Sequence, residues 1–519
     1  MVVFPHEFQR SFPATAAVLQ RPGRLLFLAI GLSLLLAPFS RIFALAPLCL
    51  WTLPASLCLE RRWLGCLLIP PFTGTVLFWG LGTSLSLPLL SVLGSDEFLS
   101  GYVGVQTGYL LGWPFAAAGY WSGALYRAAD PPFRPIRLAA ACPPLTSFVW
   151  LWLFLSLGLS PAHHLIPWES IPSGFFPFHS GPTGTFAANF LRAFPWLYTP
   201  VFFLLPLLWF RSGNILKTVL ISALAGYFFL VCTDGVRGNL LHPILFLVSG
   251  FYFFRQADTP RMEKTFLGLL ALFLLVMFFG LVGRGNLRAL ASEDSGILKK
   301  AKVLIWSPLR PSQPYRELIP PFLQSFHGNF DERIHARTPM AIPFAGWQDL
   351  GAVRQVWLPQ SLFPDKPSLL RNETVYEQYC SPHQIQWHRE RNEKIGTGAG
   401  LSLAGDAFRR FGLAGVPPVC FVVFLGFGLL CRWLLNLGQG TSLFHWALMA
   451  VAVALFQARP IGSLGNTLWQ LLYNFPKQMI VLFLMTAAFG IFFRIAHSRK
   501  SLTQGEWQGE DPSREGREN

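Results

Sequence analysis

Long uncharged stretches, separated by short charged segments, dominate the sequence. The longest cover 63–95, 98–126, 138–168, 411–431 and 433–458. A run of about 17–25 apolar residues is long enough to cross the hydrocarbon core of a bilayer as a helix. Transmembrane β-strands would instead alternate apolar and polar residues over roughly ten positions, and the sequence has no such alternation. The pattern therefore predicts an all-α polytopic membrane protein.

Grouping the uncharged stretches predicts about twelve transmembrane helices, and about eleven or thirteen remain as alternatives. The predicted helices lie at 25–40, 42–59, 64–86, 101–126, 138–160, 194–210, 216–233, 239–254, 265–282, 412–431, 443–458 and 475–493. The stretch 460–474 contains Asn466, Gln470 and Asn474. We interpret this stretch as a loop or a re-entrant turn, because it is too polar for a span.

The composition supports the membrane assignment. The chain of 519 residues is 52% hydrophobic and 13% charged, and its mean hydropathy is +0.43. Soluble proteins carry roughly 25% charged residues, so this chain has too little polar surface for a set of soluble domains. An aromatic content of 15% also excludes a disordered chain, which would have few aromatic residues.

The distribution of Lys and Arg predicts the orientation of the chain. Basic residues gather in alternate short connections, including 10–24, 127–137 and 255–264, and in the tail. Lys and Arg accumulate in cytoplasmic loops, so both termini are predicted to be cytoplasmic. The resulting regions are a cytoplasmic N-terminus at 1–24, an N-terminal bundle of nine predicted helices at 25–282, an extracytoplasmic loop domain at 283–411, a C-terminal bundle of three predicted helices at 412–493 and a cytoplasmic tail at 494–519.

The net charge of +15 has a natural partner in membrane lipid, because anionic headgroups attract basic loops. Binding to nucleic acid would require a contiguous basic face. The basic residues are instead divided among many short loops, so we predict no nucleic-acid partner.

The outer loop 283–411 differs in composition from the rest of the chain. It contains 17 Lys or Arg and 12 Asp or Glu residues, together with enough aromatic residues for a small core. Its many prolines predict an irregular backbone with short helices. The charged stretch 371–394 is predicted to lie on the membrane surface as an amphipathic segment.

Two groups of arginines on the predicted outer side are candidates for binding an anion. Arg237 lies in a glycine turn at 233–239, and its planar guanidinium matches phosphate or carboxylate oxygens. Arg284 and Arg288 follow the ninth predicted helix, where positive charge departs from the positive-inside trend. The alternatives are an Asp234–Arg237 pair that caps two helices and, for the second group, side chains that reach the interface from a helix end.

A third candidate region extends from 358 to 416. It contains Leu-Pro-Gln-Ser-Leu-Phe-Pro-Asp-Lys-Pro at 358–367, a glycine-rich stretch at 396–400, and Gly-Asp-Ala-Phe-Arg-Arg-Phe-Gly-Leu-Ala-Gly-Val at 405–416. The prolines fix a turn around Asp365 and Lys366, and the glycines permit close approach of the backbone to a ligand. Surface charge without a ligand is the alternative.

The order of these features resembles the Wzy-type O-antigen or oligosaccharide repeat-unit polymerases. An apolar chain with many spans carries an outer Arg in a glycine turn, a large outer loop, a Phe-Pro-Asp-Lys-Pro element and a Phe-Gly-Leu-Ala-Gly entry into the next helix. The resemblance implies a GT-C-like fold and a metal-independent membrane glycosyltransferase without a cofactor. Such an enzyme transfers an undecaprenyl-pyrophosphate-linked glycan onto the next lipid-linked repeat, at the outer face of the bacterial inner membrane.

The resemblance also implies roles for individual residues. Arginines would stabilise the charge that develops on the pyrophosphate leaving group, and Glu373, Asp406 and His179 are the candidates for accepting the proton of the acceptor hydroxyl. The predicted catalytic residues are Arg237, Arg284, Arg409, Glu373 and Asp406. The predicted substrate-binding residues are Arg288, Asp365, Lys366, Arg410, Arg459 and Trp357. Trp347, Trp357 and Trp387 could stack on sugar rings or belong to the core of the loop.

Two other functions remain open at this point. An O-antigen ligase-like enzyme would use the same donor with a lipid-core or protein acceptor. A lipid-linked oligosaccharide flippase or another transporter is less favoured, because transporters often contain internal repeats and the sequence has no evident half-repeat. For the polymerase, a chain-length regulator and a flippase of the same pathway are the expected protein partners.

Overall fold

The computed structural model describes the chain in several separate ranges. These are 22–38, 46–52, 55–56, 96–124, 145–153, 194–211, 331–355, 401–437 and 463–507, together with residues 215, 219, 246–247, 250, 302, 306, 378–379, 385–386, 443–444 and 447–448. Throughout these ranges the regular structure is helical, and they contain no β-strand. The prediction of a helical protein is confirmed for this part of the chain.

The helices are numbered in chain order. They are α1 (Pro22–Leu36), α2 (Asp96–Ala124), α3 (Phe194–Arg211), α4 (Asp331–Arg337), α5 (Leu403–Phe411), α6 (Val416–Leu437), α7 (Leu464–Trp469) and α8 (Phe475–Trp507). Tight 3-10 helical segments lie at Gln348–Gln355 and Leu413–Gly415, and a π-helical turn, Gln470–Asn474, joins α7 to α8. Residues 46–52 and 145–153 are also helical.

Two helical stretches of the described chain are long and apolar enough to cross a membrane. Leu413–Leu430, which includes most of α6, has a mean hydropathy of 2.2. Leu464–Ile495, which includes α7 and most of α8, contains an 18-residue window with a mean hydropathy of 1.9. Both correspond to predicted spans, at 412–431 and 475–493.

The prediction of a loop or re-entrant turn at 460–474 is wrong for the residues that the structure describes. From Leu464 to Asn474 the backbone is helical and leads directly into α8. Polar side chains do not prevent helix formation, because the backbone hydrogen bonds are made within the segment. The predicted end of the last helix at 493 is also too early, since α8 continues to Trp507.

Helices α2 and α6 pack closely along a line of glycines that we call the glycine seam. A Cβ on Gly119 would overlap the Phe421 carbonyl of α6, and a Cβ on Gly428 would overlap the Tyr120 carbonyl of α2. Without side chains at these positions the two backbones can touch, as in the close helix pairs that small residues allow in membranes. The seam fixes α6 against α2.

The N-terminal half of α2 contacts the short helix α4 instead. Ile334 of α4 is fully buried in the same hydrophobic core as Tyr109 and Val105 of α2. Leu403 and Ala404 of α5 also belong to this core. Helices α4 and α5 therefore pack together beside α2, at the N-terminal end of α6.

Candidate functional site

Helix α5 carries three of the predicted site residues, and its two ends are defined by the sequence. At the start, the Ser402 hydroxyl accepts a hydrogen bond from the Gly405 N–H at 2.9 Å, which is a typical N-cap. At the end, Gly412 has a φ of 70°, a conformation that glycine adopts without steric cost. Helix α5 thus ends about one turn before α6, and its side chains lie at the start of α6.

Asp406, Arg409 and Arg410 form a buried ionic cluster on α5, which we call the Asp406 cluster. The Asp406 Oδ1 atom lies 3.0 Å from both Nε and Nη2 of Arg409 and 3.2 Å from Nε of Arg410. The two arginine residues are each 3% exposed. The carboxylate therefore fixes the direction of two guanidinium groups, as spacings of three and four residues on a helix allow. The alternative of surface charge is wrong for this pair.

The same carboxylate also joins α5 to the start of α7. Asp406 Oδ2 accepts a hydrogen bond from the backbone N–H of Leu464 at 2.9 Å. One residue earlier, the Ser463 hydroxyl accepts from the N–H of Asn466 at 3.2 Å. Because the first N–H groups of a helix have no partner within the helix, Asp406 supplies a partner to one of them from a distant part of the chain.

A turn in the segment between α4 and α5 attaches to the other end of α5. The N–H groups of Ala345 and Gly346 donate to the carbonyls of Arg409 and Arg410, respectively, at 3.1 Å. In return, Nη1 of Arg410 donates to the Gly346 carbonyl at 3.0 Å. These bonds satisfy carbonyl groups at the end of a helix, which would otherwise lack partners.

A second buried carboxylate, Asp331, lies at the first turn of α5 and begins α4. Its Oδ2 accepts hydrogen bonds from the Tyr109 hydroxyl at 2.6 Å and from the Ser402 hydroxyl. Its Oδ1 accepts from the Ser402 backbone N–H at 3.2 Å. A Cβ on Gly405 would overlap the carboxylate. We call Asp331, Tyr109 and Ser402 the Asp331 cluster; it connects α2, α4 and α5.

Burial raises the pKa of Asp331 to about 6. Complete removal from water disfavours the charged carboxylate. The hydrogen bonds from Ser402 and Tyr109 act in the opposite direction, and the negative charge of Asp406 adds to the effect of burial. The carboxyl therefore changes protonation in a range close to neutral pH.

His335 follows Asp331 by one helical turn and packs between α2 and α5. Its ring stacks on Phe408 with centroids 3.7 Å apart and planes 10° apart. Gly104 of α2 leaves room for the ring, because a Cβ there would lie 3.1 Å from Nδ1. Burial lowers the pKa of His335 to about 4, since the imidazolium form loses its hydration.

Three of the predicted site residues thus come together, namely Asp406, Arg409 and Arg410. The other predicted site residues, and His179, lie outside the described residues. These are Arg237, Arg284, Arg288, Trp357, Asp365, Lys366, Glu373 and Arg459. Of the tryptophans proposed to stack on sugars, the structure describes Trp347, which is 67% exposed and lies against Phe411 with ring centroids 4.9 Å apart.

Sequence reasoning did not identify the Asp331 cluster. Tyr109 and Asp331 are 222 positions apart, and Ser402 and Asp331 are 71 positions apart. The available signals were Ser402, a polar residue before an apolar helical turn, and Gly104 and Gly108, whose spacing of four residues places both on one helix face.

The Asp406 cluster can orient positive charge, whereas the Asp331 cluster can take up or release a proton. Both oxygens of Asp406 accept hydrogen bonds, one from Arg409 and one from the Leu464 N–H, so this carboxylate holds the arginines in place. Among the described residues, no group of three or more His, Cys, Asp or Glu side chains is placed to hold a metal ion.

No protein-family model, no curated protein and no solved structure matches this chain.

Proposed function

We propose that this protein is a membrane glycosyltransferase that polymerises lipid-pyrophosphate-linked oligosaccharide repeat units into a surface polysaccharide. In this proposal the chain has about twelve spans with both termini in the cytoplasm of a bacterium. The fold is GT-C-like, and the loop 283–411 covers the outer face of the inner membrane. The composition and the two apolar helices support the membrane assignment, and the order of sequence elements supports the reaction.

The observation that carries the proposal is the Asp406 cluster beside the start of α6. Two guanidinium groups with a fixed direction lie directly before an 18-residue apolar stretch. A lipid pyrophosphate requires this combination, because its tail needs an apolar surface and its headgroup needs cations. Prearranged cations stabilise a developing charge without reorganisation during the reaction, and Arg suits phosphate oxygens because of its planar set of donors.

In the proposed reaction, the oxygen of an acceptor hydroxyl forms a bond to the anomeric carbon of the donor glycan. The bond between that carbon and the pyrophosphate oxygen breaks, and the lipid pyrophosphate leaves with the electron pair. Arg409 and Arg410, together with the predicted site residues Arg237 and Arg284, stabilise the negative charge of the leaving group. Because Asp406 holds the arginines, the hydroxyl proton passes to Glu373, to His179 or to the pyrophosphate oxygens.

The reaction can be tested with the purified full-length protein in proteoliposomes. The substrate is the pool of undecaprenyl-pyrophosphate-linked glycan extracted from a strain that lacks this protein. We expect a ladder of longer lipid-linked glycans without added metal. Transfer to a lipid-core acceptor in place of a ladder would support the ligase-like function instead, and movement of the substrate across the bilayer without a longer product would support a flippase.

The role of the arginines needs a variant that preserves charge. Arg409→Lys keeps a positive charge near Asp406 but loses the planar donor set, and we expect a decrease in rate of at least about a hundred-fold. Arg237→Ala tests the glycine turn independently of the Asp406 cluster. Arg494→Ala is the matched control, since Arg494 is exposed in the second half of α8. Unchanged ladders from both Arg409→Lys and Arg237→Ala would contradict the assignment.

A further inference from the structure

The turn of the outer loop that follows α4 has an unusual surface. Residues 338–348, Thr-Pro-Met-Ala-Ile-Pro-Phe-Ala-Gly-Trp-Gln, contain no charged side chain although the surrounding loop is rich in charge. Met340 is 94% exposed, Trp347 is 67% exposed and Phe344 is 43% exposed. Single exposed apolar residues are ordinary, but a group of large ones marks a surface that contacts another apolar phase.

This turn is fixed to the point where α6 begins. Its Ala345 and Gly346 N–H groups bond to the last turn of α5. Trp347 lies against Phe411, and a Cβ on Gly412 would lie 3.1 Å from the Phe344 ring. The apolar stretch of α6 starts at the next residue, Leu413. The exposed residues of the turn are therefore at the level where the chain enters the predicted span.

The length of α6 agrees with this placement. Leu413, in the 3-10 segment just before α6, is 40% exposed, Val422 in the middle of α6 is 63% exposed, and Trp433 toward its far end is 43% exposed. Val416 to Trp433 corresponds to about 26 Å of helix, close to the roughly 30 Å of the hydrocarbon core. Tryptophans prefer the two membrane–water interfaces, so Trp347 and Trp433 mark opposite interfaces.

We infer that the turn Pro339–Trp347, together with Leu413, inserts into the headgroup boundary of the bilayer and contacts lipid. Continuity with α6 favours lipid over a protein partner, because a surface at this level meets the membrane as soon as α6 spans it. Pro339 and Pro343 restrict the backbone, so little conformational freedom is lost on insertion. The inference goes beyond glycosyl transfer and requires only that α6 crosses the membrane.

The insertion can be tested by photocrosslinking in the full-length protein. The photoreactive residue p-benzoylphenylalanine replaces Met340 in one variant and Trp347 in another, and the protein is reconstituted in nanodiscs of phosphatidylethanolamine and phosphatidylglycerol. After irradiation, mass spectrometry identifies the adducts. We expect phospholipid adducts at both positions, and the fold is checked by size-exclusion chromatography for each variant.

Two further positions serve as controls. Val422, exposed in the middle of α6, should give acyl-chain adducts, whereas Ala336, exposed on α4, should give none. Adducts to another polypeptide segment at Met340 would show that protein covers the turn and would overturn the inference. Absence of lipid adducts at Met340 and Trp347 would show that water covers the turn, and absence at Val422 would remove the membrane-crossing helix on which the inference rests.

Discussion

The Asp331 and Asp406 clusters are two different ways in which a carboxylate is buried at the same helix, α5. Each carboxylate is about 1% exposed or less and accepts several hydrogen bonds. Asp406 contacts two arginines and a backbone N–H, whereas Asp331 contacts two hydroxyl groups and a backbone N–H. The difference is the charge of the donors, because Asp406 faces two cations whereas the donors in the Asp331 cluster are neutral.

The charges of the two clusters also influence one another. The Asp406 cluster, with two arginines and one carboxylate, carries a net positive charge. Asp331 is a nearby acidic group, and the negative charge of Asp406 helps to raise its pKa. Below a pH of about 6, Asp331 is neutral and the pair of clusters is more positive than above it. The positive field available to an anion at Arg409 and Arg410 therefore depends on the protonation of Asp331.

The largest expected effect comes from removing the charge of Asp406. Asp406→Asn leaves two buried guanidinium groups without their shared anion and weakens the bond to the Leu464 N–H. Breaking a buried ion pair from one side costs about 3–5 kcal/mol. We expect this decrease in the free energy of unfolding, measured by denaturant titration in detergent micelles.

Asp331→Asn is the matched variant for this experiment, because it changes a carboxylate that has no arginine partner in its cluster. At pH 7 it should cost clearly less than Asp406→Asn, since it removes a charge that is itself disfavoured by burial. Equal losses from the two variants would contradict the distinction between the clusters.

The next prediction concerns pH. The folded pKa of Asp331, about 6, lies above its ordinary value of 3.8, so its contribution to stability is complete below about pH 4 and is lost as the pH rises through 6. The difference corresponds to about 3 kcal/mol. We expect the free energy of unfolding of the wild type, minus that of Asp331→Asn, to fall by about this amount between pH 4 and 7.

Subtracting the unfolding free energy of Asp331→Asn from that of the wild type removes the contribution of His335. That contribution changes with pH in the opposite direction. Its folded pKa of about 4 lies below the ordinary 6.5, so its contribution is present above 6.5 and is lost as the pH falls through 4. Tyr109, Ser402 and Asp406 surround Asp331 in both proteins. A difference that rises with pH would mean that the fold favours the ionised form of Asp331.

The smallest expected effect tests the contact between Asp331 and α5. Gly405→Ala would place a methyl group against the Asp331 carboxylate, and overpacking of this kind costs about 1–3 kcal/mol. Gly426→Ala on α6 is the control, because no heavy atom lies within 4 Å of the added Cβ. Within a helix Ala is more favourable than Gly by about 1 kcal/mol, so the control substitution should be neutral or stabilising. Thermal melts of the two variants and the wild type measure both effects.

A destabilisation of Gly405→Ala that persists in the background of Asp331→Ala would show that another group, rather than the carboxylate, occupies the space. The double-variant comparison isolates the pairwise contribution, provided that each single change removes the contact without adding a new one.

Much of the helical framework could be predicted from the sequence, because uncharged stretches are a direct consequence of the apolar solvent around a span. The predicted spans 101–126 and 194–210 correspond to α2 and α3 with small differences at the ends. The helix after 460 was not predicted, because its first turn obtains a partner from Asp406, 58 positions away.

The candidate site likewise has one part that the sequence predicted and one part that it did not. Asp406, Arg409 and Arg410 are neighbours on one helix, so their spacing along the chain is enough to indicate a cluster of charge. Asp331 and Tyr109 meet because α4 packs on α2, and pairing over 222 positions has no local signal in the sequence. Local charge patterns were therefore visible, whereas the proton-binding group was not.

The glycine seam closes the space between α2 and α6. With the backbones of α2 and α6 in contact at Gly119 and Gly428, no hydrocarbon chain fits between these two helices, and rotation of either helix would force a side chain into the contact. The two helices are consequently expected to move together as one rigid body. For the lipid-linked substrate of the proposed function, an entry path would therefore lie between helices other than α2 and α6.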